Sequence, residues 1–321
     1  MAKKKVFVTR KIPESGLKLL RKKYDVRVWK KDRVISRGAL LRGVKWCDAL
    51  LCLLTDNIDK KVLDANPNLQ IVANYAVGYN NIDHAYAKTK KIPVTNTPGV
   101  LTTAVAEHAM ALLLSIARRV PESDTFVRKS KYKGWAPMLL LGGQLQGKTL
   151  GIVGAGRIGS AVAERAMKGF GMKIIYFNRS KNARIEKDTK AKRKAKLKEL
   201  LKEADFVSVH VPLVKETRHL LGSSQLKAMK KTAYLINTSR GPVIDEKALV
   251  SALKSKQIAG AALDVFENEP KLAKGLSTLS NVVLTPHTAS GTIETREAMS
   301  TIAAQNIIAV LSGKKPKNRV N

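Results

Sequence analysis

Short apolar runs alternate with amphipathic stretches along most of the chain. In the first third, the runs at 6–8, 26–29, 49–54, 70–73 and 92–95 predict strands. The stretches at 13–23, 36–45, 59–65 and 81–89 carry apolar residues at helical spacing between them. Pro13 near a helix start and Ser36 at an N-cap position support two of those boundaries. Thr97-Pro98-Gly99 breaks the alternation. A long helix is predicted over 102–119, with Ala106, Met110, Leu113 and Ala117 at helical spacing; Pro121 marks either a kink or a new helix. The loop at 131–143 has no periodicity, yet it holds Trp135, Pro137 and an apolar patch at 138–141, which suggests a partner surface.

A second series starts at Thr149. Strands are predicted at 149–153, 173–177, 205–209, 233–237, 260–263 and 282–284. Helices lie between them, clearest at 245–254, and a long helix closes the series over 293–311. No internal repeat is evident. Strand–helix alternation of this kind predicts an α/β fold of two doubly wound parallel-sheet domains.

The second series opens with Thr149-Leu-Gly-Ile-Val-Gly-Ala-Gly-Arg-Ile-Gly159. A buried strand is followed by Gly154, Gly156 and Gly159 at G-x-G-x-x-G spacing, and then by small and apolar residues at helical spacing. The first glycine permits a tight turn, the second lets backbone approach a pyrophosphate, and the third lets helix and strand pack closely. The helix N-terminus offers unpaired N–H groups to that pyrophosphate. A bare glycine turn without a ligand is the alternative; the strand–turn–helix setting favours a dinucleotide.

An NAD site usually places an acidic residue about 20 positions on, to hold the ribose 2′-hydroxyl. Here that turn reads Phe177-Asn178-Arg179-Ser180-Lys181, with no carboxylate. An arginine and a lysine would instead grip a 2′-phosphate, so Asn178, Arg179, Ser180 and Lys181 favour NADP(H), with NAD(H) as the alternative. The run 181–202 that follows holds ten Lys/Arg against three acidic residues, and is read as a solvated basic face.

The length of 321 residues and 44% apolar content suit two domains with sizeable cores. The charge changes the picture more: 59 Lys+Arg face 25 Asp+Glu, a net +34, which suits non-specific polyanion binding. Aromatics are 5% of the chain and no aromatic-rich basic motif is visible, so most of this charge is read as a solvated surface. The apolar run after Lys3 to Lys5 is too short for a signal peptide, and no run is long enough to span a membrane. Cys47 and Cys52 lack metal or redox spacing and read as buried free thiols. A cytoplasmic protein without a metal site is expected.

Reduction of a 2-oxo acid needs a cation for the substrate, a general acid for the forming alkoxide, and a carboxylate that orients that acid. Arg240, Glu269 and His287 each follow a predicted strand of the second series. Ligands of open α/β sheets sit outside the carboxyl ends of the strands, which is where these three fall. A lone arginine, glutamate or histidine is usually structural; the joint pattern argues otherwise. His84, His108, His210 and His219 are left as structural histidines.

The segments Val77-Gly-Tyr-Asn-Asn-Ile-Asp83, Thr97-Pro-Gly99, Val153-Gly-Ala-Gly-Arg-Ile-Gly159, Asn237-Thr-Ser-Arg-Gly-Pro242, Leu263-Asp-Val-Phe266 and Thr285-Pro-His-Thr288 together resemble the D-isomer-specific 2-hydroxyacid dehydrogenase family, most closely its glyoxylate/hydroxypyruvate reductase branch. The resemblance covers nearly the whole chain. It implies a flavodoxin-like substrate domain at 1–99 and 287–321, and a Rossmann cofactor domain at 100–286. It implies that Arg240 binds the substrate's carboxylate and carbonyl, that His287 is the acid/base, and that Glu269 is its partner. The N–H groups of Val77 and Gly78 would hold the substrate carboxylate. Gly154, Gly156, Arg157, Ile158, Gly159 and Ser160 would meet the pyrophosphate. Thr238, Ser239, His287 and Ala289 would lie on the nicotinamide side, and Asp264 would bind the nicotinamide amide. Trp135 would reach the neighbouring subunit's active site in a homodimer.

The implied reaction is hydride transfer to a small 2-oxo acid, glyoxylate or hydroxypyruvate, giving glycolate or D-glycerate. Alternatives are another D-2-hydroxyacid dehydrogenase, of D-lactate or phosphoglycerate type, or a nucleotide-sensing, corepressor-like protein. The short tail argues against the corepressor. A glutamate rather than a glutamine beside the histidine argues against formate dehydrogenase. The net charge has no counterpart in what the family needs.

Overall fold

The computed structural model describes residues 2–321; residue 1, with which the first expected domain segment begins, lies outside them. By its contacts the chain divides into two compact units, residues 1–101 with 291–321, and residues 102–290.

The first unit runs β1 (Lys5–Val8), α1 (Glu14–Arg21), β2 (Asp25–Val28), α2 (Arg37–Trp46), β3 (Ala49–Cys52), α3 (Lys60–Asp64), β4 (Ile71–Asn74), α4 (His84–Thr89) and β5 (Val94–Thr95). All strand pairs are parallel, in the order β2-β1-β3-β4-β5. The central strands β3 and β4 are buried at every residue, as expected of strands covered on both faces. Edge strand β2 alternates exposed and half-buried residues instead. Several ends differ from the predicted ones for local reasons. β3 stops at Cys52 because the Asp56 carboxylate accepts from the Leu53 N–H at 2.8 Å and starts a turn. The fourth helix starts at His84, not 81, because the Asp83 side chain caps it by accepting from the Tyr86 N–H. Ser36 occupies its N-cap position, but its side chain makes no capping bond.

The second unit runs α5 (Thr102–Ala117), α6 (Val120–Arg128), β6 (Thr149–Val153), α7 (Arg157–Phe170), β7 (Lys173–Phe177), α8 (Ala183–Thr189), β8 (Lys192–Arg193), α9 (Leu197–Glu203), β9 (Phe206–Val209), α10 (Ser223–Ala228), β10 (Tyr234–Asn237), α11 (Glu246–Lys254), β11 (Gly260–Leu263) and β12 (Val282–Leu284). Pro121 begins a new helix rather than kinking the old one. The seven strands are parallel, in the order β12-β11-β10-β9-β6-β7-β8. Read from β6, this is the 3-2-1-4-5-6 Rossmann order with one strand added, and the order reverses between β6 and β9. Strand β8 was not foreseen. It lies inside the basic run, and both its residues are exposed.

The chain returns to the first unit with α12 (Ile293–Leu311). There α1 and α12 pack so closely that a Cβ at Gly16 would collide with the Ser300 backbone and hydroxyl. The Gly16 N–H donates to the Ser300 hydroxyl at 3.1 Å, and that hydroxyl donates to the Pro13 carbonyl at 2.7 Å.

Candidate active site

The glycine turn sits where the second unit's strand order reverses. Gly154 has φ +97°, and a Cβ there would press on the His210 backbone at 2.8 Å, so both conformation and space demand glycine. A Cβ at Gly159 would strike the Gly154 carbonyl. Gly156 is different: a Cβ there would meet nothing within 4 Å, and the residue lies exposed at the start of α7. No side chain caps that helix, which leaves the N–H groups of its first turn to a ligand. Arg157 is exposed there, with Ile158 and Ser160 half-buried. Two forced glycines behind and one open glycine in front make a cradle that fits a pyrophosphate.

The ribose-reading turn follows β7. Arg193, from β8, donates to the carbonyls of Asn178 at 3.1 Å and Arg179 at 2.9 Å. Asn178 donates to the Ser180 carbonyl at 3.1 Å. Thus the unforeseen strand supplies a cation that braces the turn. The Arg179 and Ser180 side chains are exposed, and Lys181 pairs with Glu186 at 3.2 Å.

Three candidate catalytic residues follow β10, β11 and β12. Asn237, at the end of β10, shapes the Arg240 turn: its amide donates to the Arg240 carbonyl at 3.0 Å, and its oxygen accepts from the Ser239 N–H at 3.0 Å. The Arg240 guanidinium donates to the Ser239 carbonyl at 2.7 Å. Burial lowers its pKa, and the Glu269 charge acts the other way. Glu269 accepts from the Phe266 N–H at 3.0 Å with one oxygen and meets His287 Nδ1 at 2.9 Å with the other. Burial pushes its carboxyl up, but His287, the Phe266 N–H and Arg240 outweigh that and hold it below its ordinary value.

His287 adopts φ +55°, a left-handed conformation that costs a non-glycine residue energy. Asp264 imposes it. The His287 N–H donates to the Asp264 carbonyl at 2.9 Å. The Asp264 carboxylate, with no exposed surface, accepts from Thr285 Oγ1 at 2.6 Å, the Thr288 N–H at 2.8 Å and the Ala289 N–H at 2.8 Å. His108 of α5 stands 3.3 Å from the same carboxylate and 3.1 Å from Thr285 Oγ1. Burial raises the Asp264 pKa, and these four donors reverse the effect and lower it. Its side chain is therefore spent on the His287 loop and offers no surface to a nicotinamide amide. The Ala289 N–H is likewise spent on Asp264. Ser239 Oγ donates to the Val211 carbonyl, whereas Thr238 Oγ1 is buried with no partner among the described residues, as a hydroxyl awaiting a ligand would be.

His108 is the residue that sequence reasoning left aside. It lies on an otherwise apolar helix, 156 positions from Asp264, and nothing in the spacing signals the contact.

Val77 and Gly78 belong to the first unit, in the turn after β4. The Ala76 carbonyl accepts from the Thr97 N–H at 2.9 Å, the Val77 carbonyl from Asn96 at 2.8 Å, and the Gly78 carbonyl from Asn74 at 2.8 Å. In a trans peptide the next N–H points away from a carbonyl held in this manner, so the Val77 and Gly78 N–H groups are directed to the opposite side. Trp135 is not brought to the His287 loop: it is 82% exposed, in a segment that also exposes Met138 and Leu141. Among the described residues no His, Cys, Asp or Glu cluster is arranged to hold a metal, and no helix is long and apolar enough to cross a membrane.

Residues 110–289 match the model of the D-isomer specific 2-hydroxyacid dehydrogenase NAD-binding domain. Over 99% of its length the chain is 53% identical to a glyoxylate reductase of Thermococcus litoralis, covering 97% of that protein, and 51% identical to one of Pyrococcus furiosus, covering 96%. A Thermus thermophilus protein of known structure is 43% identical, with a TM-score of 0.93 over 99% of this chain and all of that one. The NADPH-dependent glyoxylate/hydroxypyruvate reductase of Sinorhizobium meliloti, solved with NADP and malonate, is 32% identical, with a TM-score of 0.87 over 99% and 97% of the two chains. This chain belongs to the D-isomer specific 2-hydroxyacid dehydrogenase family, and it is an NAD(P)-dependent oxidoreductase.

Proposed function

We propose that this protein reduces glyoxylate to glycolate, accepts hydroxypyruvate as a second substrate to give D-glycerate, and prefers NADPH to NADH. The observation that carries the chemistry is the His287–Glu269 contact at 2.9 Å, with the Arg240 guanidinium near enough to act on Glu269. With Nδ1–H donated to Glu269, His287 keeps Nε2 for the substrate oxygen and delivers the proton as charge develops there. Arg240 holds the carboxylate and polarises the carbonyl. In the first unit, the Val77 and Gly78 N–H groups are the candidates for a substrate carboxylate. The bound nicotinamide supplies the hydride. Gly156 and the first turn of α7 hold its pyrophosphate, and Thr238 faces its nicotinamide side. Asp264 serves by fixing the loop of His287. The relatives named glyoxylate reductase support the substrate.

The NADPH preference rests on the Asn178–Lys181 turn, which lacks a carboxylate and exposes Arg179. The NADP-bound relative from Sinorhizobium supports it. In this reading the cofactor domain, expected at 100–286, is the unit 102–290, and the substrate domain, expected at 1–99 with 287–321, is the unit 1–101 with 291–321. The protein works as a homodimer in which Trp135 completes the partner's site, and it resides in the cytoplasm, where buried free thiols such as Cys47 and Cys52 stay reduced. The test is NADPH and NADH oxidation with glyoxylate, hydroxypyruvate, pyruvate and phenylpyruvate. Highest kcat/KM for NADPH with glyoxylate supports the proposal, and turnover of pyruvate or phenylpyruvate above glyoxylate overturns the substrate.

A further inference from the structure

Charge in this protein is unevenly placed. Residues 3–46 hold sixteen Lys/Arg and three acidic residues. Two of those three acids are already in ion pairs, Asp32 with Arg10 at 2.8 Å and Glu14 with Arg21 at 2.6 Å. The segment folds into β1, α1, β2 and α2; α2 shares one apolar cluster with Phe7, whereas α1, with Lys18 and Arg21, packs against α12 and is not part of that cluster.

The fold gathers aromatic rings at the cluster of Phe7 and α2, although they are far apart in the chain. Phe7, Trp29 and Trp46 line a groove of about 200 Å³ with Arg27, Arg42 and Gly43. Two of the chain's three tryptophans are here. A Cβ at Gly43 would run into the Phe7 ring, so the glycine lets helix and ring approach. The Arg27 guanidinium lies 3.8 Å from the centre of the Trp46 ring, with Lys5 Nζ at 5.7 Å. The Trp29 indole N–H is buried and has no acceptor among the described residues.

We infer that this face binds single-stranded nucleic acid, with one base in the groove and the adjoining phosphates on the basic surface. Stacking surfaces within a cationic track are what sequence-tolerant single-strand binding needs. The groove is smaller than the roughly 300 Å³ at which drug-sized ligand sites begin, and it suits a single flat ring. Lys5, Arg27 and Arg42 stand at or beside it, more cations than one phosphate takes, so the complementary ligand is a polymer of repeated negative charge rather than a free nucleotide. A duplex keeps its bases stacked and offers none to the groove. A membrane would call for apolar side chains that project outward, whereas Trp29 and Trp46 are half-buried and line a concavity.

The full-length protein is titrated against a fluorescein-labelled single strand of about twenty nucleotides, with anisotropy and tryptophan emission read together at about 50 and 200 mM salt. The inference predicts binding that weakens by about tenfold or more between those salts, with quenched tryptophan emission. The Arg27→Glu/Arg42→Glu double variant should lose about tenfold or more in affinity, while the charge-matched Lys190→Glu/Lys192→Glu variant should lose about threefold or less. Four results would overturn it: no binding at the lower salt, equal loss from both double variants, duplex or heparin binding as tightly as the single strand with the same quench, or competition by anionic phospholipid vesicles at matched charge.

Discussion

Residues 285–289 and residues 131–141 are two irregular stretches of the same unit. In the first, backbone and side chains are tied from several directions. Asp264 holds two N–H groups and a hydroxyl, His108 closes the network from α5, and His287 is kept at a positive φ. In the second, Trp135 and Met138 stand 82% and 77% exposed. The first is finished by its own chain and presents a pre-set imidazole. The second exposes apolar surface of the kind that a partner covers. Rigid placement of the acid speeds the chemistry, so the first stretch should answer substitution in turnover and stability together, and the second should not.

The sharpest blow to this comparison is Asp264→Asn. Removing a buried charge from a network of donors should cost about 3 kcal/mol of stability and release His287, cutting kcat as well. Chemical denaturation and steady-state kinetics measure both. The folded pKa of Asp264 is depressed, so its contribution is complete above the ordinary carboxylate range near pH 4 and fades as the pH falls through the lower folded value. The variant should lack that acid-dependent loss.

His210, at the carboxyl end of β9, has its backbone against Gly154 and its ring 2.8 Å from the Ser208 hydroxyl. Burial lowers its pKa from 6.5 to about 4. A base depressed on folding binds its proton more readily when unfolded, so stability should fall as the pH drops from about 6.5 toward 4, by on the order of 3 kcal/mol. His210→Gln should flatten that limb of the pH–stability curve.

Arg179→Ala probes an exposed side chain on a turn whose backbone Arg193 braces. The KM for NADPH should rise about tenfold while that for NADH stays unchanged. The smallest stability effect is expected at the other pole of the comparison. Trp135→Ala should change stability within the chain by about 0.5 kcal/mol or less, yet raise the KM for glyoxylate and weaken the dimer, as sedimentation reports. A large loss of monomer stability would mean that the segment is core rather than partner surface.

Most strands were legible because a fully buried parallel strand is a continuous apolar run bounded by polar residues. The boundaries at 149–153, 173–177 and 260–263 coincide with those runs. Strand β8 was not, because Lys192 and Arg193 are held in the sheet by backbone pairing with Ile175 and Tyr176 and carry no apolar signal. Arg240, Glu269 and His287 were visible as chemistry at strand ends. The tie from His108 to Asp264 was not, since it depends on how α5 crosses the sheet. Nor was the groove at Trp29 and Trp46, residues that come to line one concavity only after β1, β2 and α2 are packed.

The most direct measurement is the turnover of His287→Ala with NADPH and glyoxylate, set beside its NADPH affinity. The account predicts a fall in kcat of about a hundredfold to ten-thousandfold with cofactor binding unchanged. Turnover within a few-fold of the unaltered protein would contradict the assignment of His287 as the proton donor, and with it the role given to Glu269 and Asp264.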